Sequence, residues 1–446
     1  MKTIVGVASA LGRAGVAVVR LSGDKAAKIA SVMCEGSGLN FDKQNSHKMQ
    51  FCKIKTPGFI DSGYVCFFKG PASFTGEDVV EFFCHGGNLI APKIVEECIR
   101  LGAVQSGPGE FTQRAFVNGR MTLDMAEGVI DAINSESERE LGAAGKLAGG
   151  ELGRIIFEIQ AKLREVLAGF NVLIDFPSED GSDEDDVLTG AKETFSEAVK
   201  KLEDILKTAR TGRMIKSGAV VVLAGLPNAG KSSLLNALAS EDVAIVSDIP
   251  GTTRDIVKET ILYKGIKFNL CDTAGLREAG DLIEKIGVEK ARGAMEKADV
   301  VLYIIDAAVG AVDEDLANLE KLKSEKLIVV VNKTDLKSIK LKGIEALEVS
   351  ATTGKGLDEL KEKMLEKAGA KEFDESAVIL TNARHVQVIE DAAVSLREAL
   401  SGADEFSLDV LVSMVQAGYN KLGQVTGESG SDAVANEVFA RFCVGK

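Results

Sequence analysis

Between Gly225 and Ser232 the chain reads Gly-Leu-Pro-Asn-Ala-Gly-Lys-Ser, which places glycines, a lysine and a hydroxyl at the spacing G-x-x-x-x-G-K-[ST]. Such a run can do phosphate chemistry. The glycines let backbone N–H groups turn inward on phosphate oxygens, the lysine adds a cation, and the hydroxyl reaches a magnesium ion. Asn228, Ala229, Gly230, Lys231, Ser232 and Ser233 are therefore expected to line a nucleoside triphosphate, with Ser232 on the metal. The apolar run from Ala219 to Ala224 precedes them and Ser-Leu-Leu-Asn-Ala-Leu follows. A buried strand, a turn and a helix thus supply the context that the loop requires.

The base is read further on. Asn332-Lys333-Thr334-Asp335 closes another apolar strand, Leu327 to Val331, at a carboxyl end, the usual ligand edge of a doubly wound sheet. A carboxylate there accepts two hydrogen bonds from guanine, ring N–H plus exocyclic amine, a donor pair that adenine lacks, so GTP is favoured over ATP. Ser350-Ala351-Thr352, after another short strand, fits the last loop around the base. Asp272-Thr273-Ala274-Gly275 follows the strand-like stretch from Ile266 to Cys271. Asp272 there is placed to hold the magnesium shell, and the Gly275 backbone to meet the third phosphate. Thr253, in Gly251-Thr252-Thr253-Arg254-Asp255, can reach magnesium only when that third phosphate is present, which is the logic of a switch. Leu276 stands where many signalling GTPases carry the water-positioning glutamine. Arg254 and Arg277 are candidates to meet transition-state charge, and Glu278, Asp281 and Glu284 are candidates to act through a water.

At 446 residues the chain should hold about three domains. Its 53 basic and 67 acidic side chains leave a net charge of −14, which opposes nonspecific binding to nucleic acid or to an anionic membrane. The seven cysteines form no C-x-x-C pair and there are three histidines, so neither a disulfide framework nor a zinc site follows. Glycines at 6, 12 and 15 and Arg13 interrupt the apolar amino terminus, which reads as a strand pair rather than a leader. No run reaches the length of a membrane span, and a cytoplasmic protein is expected.

The fold class expected is multidomain α/β and α+β. Residues 1-118 carry short strands, such as Gly15 to Leu21 and Val79 to Phe83, and one helix near Ile90 to Leu101, as a small α+β domain. Over 119-213, Leu152, Ile155, Ile156, Ile159, Leu163, Val166, Leu167 and Phe170 make one helical stripe. The acidic run from Glu179 to Asp186 reads as a solvated loop between two helices. Residues 214-377 hold the nucleotide domain. A second stripe, Leu408, Leu411, Val412, Val415, Tyr419 and Leu422, falls in 378-446. The economical arrangement is one discontinuous helical bundle into which the nucleotide domain is inserted.

These features join others along the whole chain: Gly15-Val16-Ala17-Val18-Val19-Arg20-Leu21-Ser22-Gly23, Ser73-Phe74-Thr75-Gly76-Glu77-Asp78, His85-Gly86-Gly87, Pro108-Gly109-Glu110-Phe111, Ile174-Asp175-Phe176-Pro177 and the terminal Phe442-Cys443-Val444-Gly445-Lys446. Together they resemble the tRNA modification GTPase family MnmE. The resemblance implies a Ras-like P-loop GTPase domain and a homodimer. It also implies a flavoprotein partner, MnmG, in a heterotetramer that adds an aminomethyl-type group, such as carboxymethylaminomethyl, at C5 of the wobble uridine of tRNA. The one-carbon unit is implied to come from 5-formyl- or 5,10-methylene-tetrahydrofolate. The resemblance also extends the nucleotide site to Ser247, Asp248, Ile249, Pro250, Gly251, Thr252 and Thr273-Ala274. Asn228, Ser247, Ile249 and Thr252 are implied around a potassium ion that replaces an arginine finger, with Glu284 orienting the attacking water through a second one. Folate is implied at Arg20, Glu81, Arg120 and Lys446, in a first domain that also dimerises, and Cys443 is implied in the modification step. Arg120 stands where relatives often carry lysine, and Ser9-Ala10 where they often carry Thr-Pro. Two other classes compete: a ribosome-assembly GTPase, against which the net charge and the first domain argue, and a purely regulatory GTPase.

Overall fold

The computed structural model describes residues 2–176, 182–241, 259–272, 293, 295–322, 324–369, 377–430 and 432–446. The chain packs as two compact units, one of Met1–Asn134, Gly145–Val199 and Val388–Lys446, the other of Ser135–Ala144 and Lys200–Gln387.

Strands in the first unit alternate in burial along much of their length. They form a seven-stranded sheet in the order Cys34–Glu35, Met49–Thr56, Phe59–Phe68, Val79–Cys84, Ala17–Ser22, Ile4–Val7, Val104–Gln105. All neighbours are antiparallel except the last pair. Val5, Leu21, Val80 and Phe67 lie in one cross-strand row and are buried under helices Ala26–Met33 and Ile90–Arg100. Because side chains alternate faces with period two, the adjacent row Gly6, Arg20, Glu81 points the other way. The sheet register therefore sets the basic and acidic partners side by side, off the core.

The same unit holds the helical stripe. In helix Glu151–Asp175, Leu152, Ile156, Ile159, Leu163, Val166, Leu167 and Phe170 are buried, with Ile155 at the stripe's margin. Helix Leu408–Thr426 lies against it, with Leu411, Val415 and Leu422 buried. Gln160 Nε2 donates to the Tyr419 carbonyl at 3.3 Å and Arg164 to the Tyr419 hydroxyl at 2.9 Å. Segments from either side of the phosphate-loop region thus pack together. The acidic run differs from expectation: helix Ser182–Leu206 has begun by Ser182, so its last five residues are helical, and Glu179 to Gly181 lie outside the described residues. Glu184, Asp185 and Asp186 remain exposed, and carboxylates in a first helical turn face the positive end of the helix dipole.

The second unit is built on apolar runs long enough to be buried on both faces, as parallel strands require. Its six strands run Leu347–Glu348, Leu327–Asn332, Val300–Asp306, Ala219–Ala224, Ile266–Asp272, Glu259–Tyr263. Only the last pair is antiparallel, joined by Lys264 and Gly265, both at positive φ, the backbone of a tight hairpin turn. Helices Lys231–Glu241 and Leu357–Ala368 cover one face, and Asp313–Lys321 the other. The carboxyl ends of the parallel strands then place residues 225–233, Asp272, Asp306, 332–335 and 350–352 along one edge. Among the described residues no helix is long and apolar enough to cross a membrane.

The helical register is checked by two substitutions two residues apart. Phe170, fully buried with its ring 6.5 Å from that of Phe195, should cost about 3–5 kcal/mol as Phe170→Ala. Exposed Val172 should cost no more than about 0.5 kcal/mol as Val172→Ala, both read from urea unfolding.

Candidate functional site

The phosphate loop leaves strand Ala219–Ala224 through Gly225, whose φ is +139° and where a Cβ would stand 2.3 Å from the Ile304 carbonyl oxygen. Only glycine fits there. Asn228 (φ +65°) and Gly230 (φ +88°) continue the turn into helix Lys231–Glu241. Lys231 Nζ donates to the Gly225 and Leu226 carbonyls at 2.9 and 2.8 Å, so the cation lies across the loop. Ser232 Oγ donates to Asp272 Oδ2 at 3.0 Å, and strand pairing sets Asp272 level with Leu223 at the neighbouring strand end. A hydroxyl and a buried carboxylate at that separation match a hard divalent cation and its water shell, so the pair fits magnesium.

A buried side chain ties the base loop to the phosphate loop. Asn332, 1 % exposed, donates from Nδ2 to the Ala229 carbonyl at 3.3 Å and accepts at Oδ1 from the Ala351 amide at 3.2 Å. Ser350 Oγ donates to Asp335 Oδ1 at 2.6 Å, and Thr334 Oγ1 to the Val349 carbonyl at 2.9 Å. The expected residues 228–233, 272, 332–335 and 350–352 thus come together. Ser247, Asp248, Ile249, Pro250, Gly251, Thr252, Thr253, Thr273, Ala274, Gly275 and Glu284 lie outside the described residues, as do Arg254, Arg277, Glu278 and Asp281.

Asp306, which sequence reading did not single out, joins this edge. Its Oδ2 accepts from Lys333 Nζ at 2.6 Å and its Oδ1 from the Ala308 amide at 2.8 Å. Partial burial alone would raise its carboxyl, yet the bonds from Lys333 and Ala308 outweigh that and hold it below the usual carboxylate range. The signal was an acid ending an apolar strand beside the phosphate strand.

A second polar site lies on the first unit's sheet. Arg20 Nε donates to Glu81 Oε1 at 2.7 Å, and the guanidinium sits 5.1 Å from the Phe74 ring centre and 5.6 Å from that of Phe111. Arg114 holds the flanking pieces in place by reaching Glu77 and Glu110, each at 2.9 Å, while Ser22 Oγ donates to Glu77 at 2.6 Å. The chain's last residues reach the same place. Val444 bridges Pro108, Gly109 donates to the Cys443 carbonyl at 3.4 Å, and Phe111 donates to the Lys446 carbonyl at 3.2 Å. Cys443 itself is exposed. Arg120 follows helix Glu110–Val117, and its Cγ lies 3.4 Å from where a Gly76 Cβ would be, over the loop that carries Phe74. Arg20, Glu81 and the tail bearing Lys446 therefore meet around Phe111, with Arg120 over the adjoining loop. The roles of Phe74, Phe111 and Glu77 carried no sequence signal beyond membership of the quoted runs, and Arg114 lies outside those runs.

Two family models match the chain: the GTP-binding protein TrmE N-terminus over residues 3–120 and the MnmE helical domain over residues 123–443. Curated relatives named tRNA modification GTPase MnmE match from end to end. That of Acetivibrio thermocellus is 40% identical over all of this chain and 99% of its own, and that of Desulforamulus reducens 37% over the same shares. The chain belongs to the MnmE family. It is thereby a GTPase of tRNA modification, with GTP and magnesium as its ligands. Among solved structures, the G domain of the T. maritima FeoB iron transporter is 34% identical over 34% of this chain and 98% of that one, with a TM-score of 0.26, which carries no argument about fold.

Removing the tie between loops should weaken nucleotide. Asn332→Ala is expected to cost about 1–3 kcal/mol of GDP affinity, roughly 5- to 150-fold, read by fluorescent-nucleotide binding.

Proposed function

We propose that this MnmE-family protein hydrolyses GTP to drive addition of an aminomethyl-type group at C5 of tRNA wobble uridines, as a homodimer acting in the cytoplasm with the flavoprotein MnmG. The observation that carries this reading is the pairing of two built sites in one family member: the phosphate edge, with Ser232 and Asp272 in contact, and the Arg20–Glu81 pair beneath Phe74 and Phe111.

The second site fits a folate. Glu81 is an acceptor for adjacent N–H donors of a pterin, exposed Phe74 offers a flat apolar face while buried Phe111 backs Arg20, and Arg20, Arg120 and Lys446 are cations for folate carboxylates. Bound tetrahydrofolate would supply the one-carbon unit. The residues bind and orient it, and exposed Cys443 stands within the tail that closes against Phe111. At the phosphate edge Ser232 and Thr253 would hold magnesium; Asn228, Ser247, Ile249 and Thr252 would hold potassium; Glu284 would orient water. The domains we assign are 1-118 for folate and dimerisation, 119-213 and 378-446 for the helical bundle, and 214-377 for the GTPase. The packing of helix Leu408–Thr426 on helix Glu151–Asp175 supports the discontinuous bundle.

Turnover of the full chain should be several-fold faster in potassium than in sodium buffer and should slow in Glu284→Ala with GDP binding retained. Deleting the gene should remove the modified wobble uridine from tRNA digests analysed by mass spectrometry. Equal rates in both salts would contradict the cation assignment, and unaltered uridines would contradict the tRNA chemistry.

A further inference from the structure

Lys333 of the base loop has an unusual placement. Its backbone is left-handed (φ +65°), which turns the side chain back toward the phosphate loop. The stem passes Gly230, where a Cβ would sit 3.6 Å from Lys333 Cε, and Nζ ends between two acceptors, the Asn228 carbonyl at 2.9 Å and Asp306 Oδ2 at 2.6 Å. Lysine is a flexible point charge on a four-carbon stem, so one carbonyl would orient it weakly. Asp306 adds a charge-assisted bond from a fixed point: its strand pairs it with Asn332, and the Ala308 amide holds its other oxygen.

We propose that Asp306 is a positioning residue for guanine nucleotide binding: it clamps Lys333 across the phosphate loop, so that the base loop and the Asn228 turn are held as one surface. The proposal rests on the reading of 332–335 as the base loop. The strand end supplies the anchor, the lysine is the strap, and the backbone at Asn228 is what it secures. Without the carboxylate, Lys333 is free to leave Asn228, and bound nucleotide loses a wall that was organised before it arrived.

The test is a double-mutant cycle on release of fluorescent (mant-labelled) GDP from the full chain. Asp306→Asn keeps the side-chain oxygen facing Ala308 and removes the charge facing Lys333. It is expected to speed release roughly tenfold, with the melting temperature of the nucleotide-free protein little changed. Asp306→Glu should recover part of the loss. Lys333→Met should speed release by a similar factor, and the double variant should be no worse than Lys333→Met alone. Unchanged release from Asp306→Asn, or an Asp306→Asn factor that persists in full on the Lys333→Met background, overturns the clamp. Asp335→Asn separates this from the base assignment: it should lose labelled GDP whatever occupies 306, and its retention of GDP would instead overturn the reading of the base loop.

Discussion

A buried side-chain amide must satisfy its donor and acceptor groups or cost stability, and at Asn332 that requirement organises the nucleotide edge. Its two ends bond the Ala229 carbonyl and the Ala351 amide, which belong to loops that follow different strands. The bonds are possible because the parallel sheet brings the ends of strands Val300–Asp306 and Leu327–Asn332 level, with Asp306 opposite Asn332, while strand Ala219–Ala224 ends three residues earlier, opposite Tyr303, and leaves room for the phosphate loop. Gly230 is the matching concession in the backbone: a Cβ there would stand 2.4 Å from Asn332 Nδ2. Phosphate loop, base loop and last loop are thus one hydrogen-bonded surface set by sheet register.

In the other unit register acts through the two faces of an antiparallel sheet. The row that buries Val5, Leu21, Val80 and Phe67 obliges the next row to place Arg20 against Glu81 on the opposite face. That pair is then enclosed by parts from distant sequence, the 73–78 loop, helix Glu110–Val117 and the last four residues, held by Arg114 and by backbone bonds at 109 and 111. Each site combines a rigid strand end or strand row with loops secured by polar contacts.

Much of this was legible in the residues. Runs such as Ala219–Ala224 and Leu327–Asn332 read as buried parallel strands because nothing polar interrupts them, and the glycine and lysine spacing after the first named its ligand. The stripes in helices Glu151–Asp175 and Leu408–Thr426 read equally well, since a 3.6-residue period survives without tertiary information. The acidic segment misled, because charge density suggests solvent but not conformation, and carboxylates suit a helix start. What had no local signature was convergence. Phe74 and Phe111 are single aromatics in a loop and a helix, and only strand pairing and the 77–114 ion pair bring them to Arg20. Asp306 likewise looks like any strand-ending acid until Lys333 folds back on it.

We propose that a phosphate loop joined to the Asp335 carboxylate selects guanine, and calorimetric titration of the full chain with GDP and with ADP, each with magnesium, tests this most directly. Saturable binding of GDP at one site per chain, with no measurable heat from ADP, is the predicted result. Equal affinity for the two would contradict the account.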